Sequence, residues 1–105
     1  MLFRSTINET FPPFLIFNVS QVIVQVTDVV KLQRHRYSLI GLIYFGDFHF
    51  TCRIIDVDGH IWYNDGMQLG RECVQEGIIQ QIDPTFLDTA RGKRLHAVIY
   101  QKSSD

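Results

Sequence analysis

Two turn pairs, Gly46-Asp47 and Asp58-Gly59, stand twelve residues apart in a stretch that is otherwise apolar or alternating. A two-residue turn joins antiparallel strands and cannot join parallel ones. The stretch therefore reads as three consecutive strands of one antiparallel sheet. Tyr37 to Phe45 is apolar on both faces, which suits a central strand. Phe48 to Val57 follows, with Phe48, Phe50, Cys52 and Ile54 on one face and His49, Thr51 and Arg53 on the other. His60-Ile61-Trp62-Tyr63 returns as the third strand, and Asn64-Asp65-Gly66 breaks it.

The flanks extend the β pattern. Pro12-Pro13 ends an irregular segment, 1–11, and opens a short apolar strand, Phe14 to Val19. Gln21 to Thr27 alternates, with Val22, Val24 and Val26 on one face, and reads as a half-exposed strand. Val29 to Arg36 reads as a polar, basic connection. Residues 70–82 fit no single pattern. Asp83-Pro84-Thr85 has the form of a helix start, Asp83 as N-cap and Pro84 in the first position. The helix it opens, Thr85 to Ala90, ends near Arg91-Gly92. Leu95 to Gln101 is a closing strand, and 103–105 is expected to fray. The expected fold is mainly β within α+β: one domain, 1–105, holding an antiparallel sheet or half-open barrel with one short helix.

Composition narrows the function. Ten basic and eleven acidic residues give a net charge of −1, which argues against a nucleic-acid partner. The longest apolar run, Leu39 to Phe45, is too short to span a bilayer, so no membrane partner is expected. Two cysteines, Cys52 and Cys73, are too few for a disulfide scaffold, and the expectation is a reduced, intracellular protein. The sequons Asn8-Glu9-Thr10 and Asn18-Val19-Ser20 keep secretion open. His35, His49, His60 and His96 lack zinc-ligand spacing, and no glycine-rich phosphate loop occurs. Neither a metal nor another cofactor is expected.

His49, the D-G hairpin and the Asn64-Asp65 corner are the informative group. Across a hairpin the start of one strand lies near the end of its partner, so His49 and the corner meet at one end of the sheet. From spacing alone, His49 is a strand residue and Asp65 a turn former.

The order of motifs resembles the C-terminal half of the ubiquitin-specific protease domain, a papain-like cysteine protease. The resemblance is carried by Pro12-Pro13-Phe14-Leu15-Ile16-Phe17, then Tyr37-Ser38-Leu39-Ile40-Gly41, then Phe48-His49-Phe50-Thr51-Cys52. Gly59-His60-Ile61-Trp62-Tyr63-Asn64-Asp65 and Ala97-Val98-Ile99-Tyr100-Gln101-Lys102 complete it. It implies that His49 matches the family's general base and that Asp65 or Asn64 orients it. Asp65 is favoured, because a carboxylate stabilises an imidazolium better than an amide does.

The family's nucleophile segment, Asn-x-x-Cys-Tyr, has no counterpart in this sequence, and neither has its zinc-binding finger region. Phe48 replaces the glycine before the histidine. Cys52 lies three residues beyond His49, on the opposite face, and reads as a small core residue. Cys73 lies in a loop with no helix N-terminus to activate it. The resemblance therefore implies a non-catalytic protein-interaction module with a vestigial His49, Asp65, Asn64 site. One alternative is a fragment or split half of a cysteine protease that supplies the His/Asp pair. Another is a small released protein acting on other cells through its surface. The implied partner is a protein, with ubiquitin one candidate. The sheet face left bare by the missing half implies a homodimer.

Overall fold

A computed structural model describes residues 11–22, 25–66 and 72–103. The segment 1–10 with the first sequon, the residues Ile23-Val24 of the expected second strand, residues 70–71 of the unassigned stretch and the end Ser104-Asp105 lie outside the described residues. The elements are β1 (Phe14–Asn18), β2 (Val29–Leu32), β3 (His35–Gly46), β4 (His49–Ile55), β5 (His60–Asn64) and β6 (Val74–Ile78). A five-residue 3-10 turn (Pro84–Asp88), β7 (Thr89–Ala90) and β8 (Lys93–Lys102) follow. The strands form one antiparallel sheet in the order β1-β8-β3-β4-β5-β6, with β2 beside the start of β3 and β7 beside β8. The sheet is open, with β1 and β6 at its two ends, and it does not close into a barrel.

Four expectations are corrected. Residues 25–28 form no strand. Val26 is instead buried in the core, and the Tyr100 hydroxyl donates to the Thr27 carbonyl at 2.7 Å. The basic connection is a hairpin, because Val29 to Leu32 pairs with His35 to Ser38 through a turn in which Gln33 takes φ 57°. The short helix is the 3-10 turn, and the chain is extended again at Thr89. Asp83 does cap it: its carboxylate accepts from the Thr85 amide at 2.9 Å. Ser103 is tied down through its amide to the Arg36 carbonyl.

The sheet buries one face. Tyr37, Leu39, Leu42, Tyr44, Thr51, Arg53, Ile55, Ile61, Tyr63, Val98 and Tyr100 point inward. Val19, Val26, Leu87 and partly buried Ile79, Ile82 and Phe86 pack over them. In β4 the covered face is thus the one bearing His49, Thr51 and Arg53, and Phe50, Cys52 and Ile54 face outward. Cys52 is therefore not a core residue but a partly exposed one on the outer face.

The reason is Arg53, which is 3% exposed. Its Nε donates to Glu76 of β6 at 2.7 Å. Its Nη1 donates to the Tyr44 hydroxyl, the Phe86 carbonyl and the Thr89 carbonyl at 2.9, 3.0 and 2.9 Å. The guanidinium also stacks on the Phe86 ring at 4.2 Å. Tyr44 in turn donates to the Leu87 carbonyl at 2.7 Å. Burial alone would push the guanidinium down, but the bonds from Glu76 and Tyr44 outweigh it and hold Arg53 above its ordinary value. Burial raises the Tyr44 hydroxyl to about 12, against the opposing pull of Arg53.

The outer face is a set of apolar rows. Register sets Ile16 opposite Ile99, Ile99 opposite Gly41, Gly41 opposite Ile54 and Ile54 opposite Trp62, so one row crosses five strands. Beside it run Ala97, Ile43 and Cys52, and then Phe45 and Phe50, whose ring centroids are 4.6 Å apart.

Two outcomes follow from the Arg53 cluster. Arg53→Met leaves the partly buried Glu76 carboxylate with Arg91 at 3.8 Å and strips two backbone carbonyls of their donor, and should cost about 3–5 kcal/mol in urea unfolding. A cost under about 1 kcal/mol would show that the cluster is not stabilising the covered face. The Tyr44 hydroxyl, with its raised folded value, contributes fully below pH 10, the ordinary value, and its contribution is lost as pH climbs toward 12. Urea midpoints measured from pH 8 to 11.5 should fall more steeply for the wild type than for Tyr44→Phe; equal slopes would contradict this.

Candidate functional site

The β3–β4 turn places the candidate histidine. Asp47 and Phe48 take φ 53° and 65°, the left-handed pair of a two-residue hairpin turn. Phe48 sits where glycine would be unstrained, and its side chain is fully exposed. Gly46, opposite His49 in the register, is required by close packing: a Cβ there would lie 2.8 Å from Lys93 Cγ. Lys93 is itself buried beneath the turn, with its ammonium 3.8 Å from the Asp47 carboxylate.

The D-G hairpin sets the other half. Cys52 pairs with Asn64, so Asn64 faces outward and the next residue, Asp65, turns inward to the side of His49. His49 Nε2 lies 3.3 Å from Asp65 Oδ2. Asp65 is buried and His49 is partly exposed. The second ring nitrogen, Nδ1, is 3.4 Å from the Asp47 carbonyl. Asn64 serves a different purpose: its Nδ2 donates to the Glu72 carbonyl at 2.7 Å and lies 3.8 Å from Cys73 Sγ. Of the two candidate orienting residues, the structure brings Asp65 to His49 and points Asn64 away.

The surroundings are polar and partly satisfied. Arg91 stacks over the Tyr63 ring at 4.2 Å and reaches Glu76 at 3.8 Å. Thr51, on the same face as His49, has a buried hydroxyl with no hydrogen-bond partner. Both sulfurs are elsewhere. Cys52 is on the outer face, and Cys73 lies beside Asn64 on that same side. Burial pushes the Cys52 thiol up, and nearby Cys73 adds to the effect, so Cys52 is not activated. The pair can hold an imidazole in one orientation and leave Nδ1 to exchange a proton. It has no cysteine beside it among the described residues, and the acyl transfer of a cysteine protease needs one.

Asp56, Asp58 and His60, at the β4–β5 turn, place their ligand atoms within 4.8 Å of one another. Their chemistry is used within the turn. Asp56 accepts from the amides of Asp58 and His60 and from the Trp62 indole. The indole bond is the chief reason that the Asp56 carboxyl lies below its usual range. The residues that sequence reasoning missed are Arg53, Glu76 and Lys93. Parity sets Arg53 on the face of Ile55 but does not say that this face is the covered one.

No family model, curated protein or solved structure matches the chain. No described helix is long and apolar enough to cross a membrane.

Both ring nitrogens face acceptors, the Asp65 carboxylate at 3.3 Å and the Asp47 carbonyl at 3.4 Å, and the charged carboxylate, the stronger acceptor, should hold the neutral ring's proton on Nε2. Long-range 15N–1H correlation of the imidazole should report that tautomer and should lose it in Asp65→Ala. A proton on Nδ1 in the wild type would mean that Asp65 does not orient the ring.

Proposed function

We propose that this domain is a non-catalytic protein-interaction module related in descent to the sheet half of a ubiquitin-specific protease-like domain. The observation that carries the reading is the outer face of the sheet. Ile16 is 68% exposed, Phe50 55%, Ile54 48%, Phe14 47% and Phe45 41%. These are neighbours by register, not scattered singly, and contiguous apolar patches of this kind mark interaction surfaces. His49 and Asp65 are the vestigial elements: a base and its orienting carboxylate, with both sulfurs on the other side of the sheet.

A second reading is favoured by one observation. With Nε2 held by Asp65, His49 Nδ1, which has the Asp47 carbonyl at 3.4 Å, is the nitrogen that a thiol supplied from outside the described residues would engage. In that case the chain is one half of a cysteine protease. An in-frame Asn-x-x-Cys-Tyr segment upstream of Met1 in the gene would favour it.

The interaction-module reading is tested in one set of measurements on the full chain. As an interaction module it should neither turn over a ubiquitin fluorogenic substrate nor be labelled by a ubiquitin vinyl-sulfone probe. A photo-crosslinking amino acid at position 54 should give an adduct with protein in cells. Turnover or labelling that vanishes in Cys52→Ala or Cys73→Ala, or the lack of any protein adduct, would overturn the proposal.

A further inference from the structure

We infer that the occupant of the outer face is a second copy of this chain, packed sheet on sheet about a two-fold axis; the inference rests on reading that face as a protein-docking surface. The first argument is self-compatibility. Across a two-fold axis a patch meets itself, so a charge near the axis meets its own kind. The rows Ile16-Ile99-Gly41-Ile54-Trp62 and Asn18-Ala97-Ile43-Cys52-Asn64 contain no charged side chain. Arg94, opposite Phe45 at one corner, is the charge that the neighbouring Phe45-Phe50 row meets. A surface evolved for a charged partner would show the complement of that charge, and these rows show none.

The second argument is size. At about 200 Å² for a fully exposed large apolar side chain, Phe14, Ile16, Phe45, Phe50 and Ile54 present on the order of 500 Å² per copy. Two copies would bury about 1,000 Å² of it, where specific interfaces begin, before Ile43, Ile99 and Trp62 are counted. The third argument is shape. The outer rows are alternate positions of neighbouring antiparallel strands, the arrangement that forms one inner face of a β-sandwich. Bringing two such faces to about 10 Å supplies the layer that the sheet lacks on that side.

Light scattering after size exclusion of the full chain at micromolar concentration should give twice 12.2 kDa. Ile54→Lys and Phe50→Lys sit at exposed positions and should give monomers with an unchanged circular dichroism spectrum. A measurement on the unaltered protein keeps the inference open to failure if those variants misfold. Maleimide labelling of Cys52, which lies within the face, should slow several-fold as protein concentration rises, with glutathione in the same reaction as the comparison. A wild-type monomer overturns the inference. So does a dimer that persists in both lysine variants with Cys52 labelling independent of concentration, since that dimer would use another surface. If the position-54 crosslink goes to a different protein and the wild type is monomeric, this inference fails and the interaction-module reading stands. If there is no protein adduct at all, both fail.

Discussion

A guanidinium cannot be left in a protein interior without partners, and the bonding of Arg53 decides which face of this sheet is closed. Its partners come from β6, from β3 and from the segment that runs through the 3-10 turn into β7. Those pieces are far apart in sequence. They meet only if the segment after β6 crosses the inner face, and that crossing carries Ile79, Ile82, Phe86 and Leu87 over the core. The polar contacts thus set the location, and the apolar contacts supply most of the burial. A sheet closed on the other face would leave Arg53 in water and Phe86 without its stacked cation.

The sequence made the meander legible because turns this short join only antiparallel neighbours. Asp83 and Pro84 were legible for a similar reason: the capping chemistry is local. What could not be read was which face is covered. Alternation in β4 says that Phe50, Cys52 and Ile54 share a side, but a period of two is silent on what packs there. The cover comes from residues 79–90, and their polar groups made the Thr51 and Arg53 side the better one to bury. Val26 misled in the same way, since its alternation with Val22 suggested a strand, whereas it is a single plug in the core. The choice between Asp65 and Asn64 turned on register. Once Cys52 pairs with Asn64, Asp65 must turn toward His49; a slip of one residue would have exchanged them.

The His49–Asp65 pair and the apolar rows lie on opposite sides of the same strands. A partner seated on the rows does not touch the imidazole. The two features therefore make separate demands on the sequence. The dyad needs the hairpin register and the close approach of Lys93 to Gly46. The rows need only apolar side chains of one parity.

The strand order has a consequence for how the molecule comes together. β8 lies between β1 and β3, and Phe14 finds its register partner at Gln101. During synthesis β3, β4 and β5 can pair as they emerge, because each follows its neighbour by a short turn. β1 has no partner until almost the whole described chain exists, and the β8 side of β3 stays open for as long. Contacts this distant in sequence carry a high closure entropy and slow assembly. The growing chain thus displays an unpaired edge of β3 from the time that strand emerges until β8 follows it. Its period of greatest exposure to wrong pairing and to chaperones ends only when the last strand docks between two that have been waiting for it.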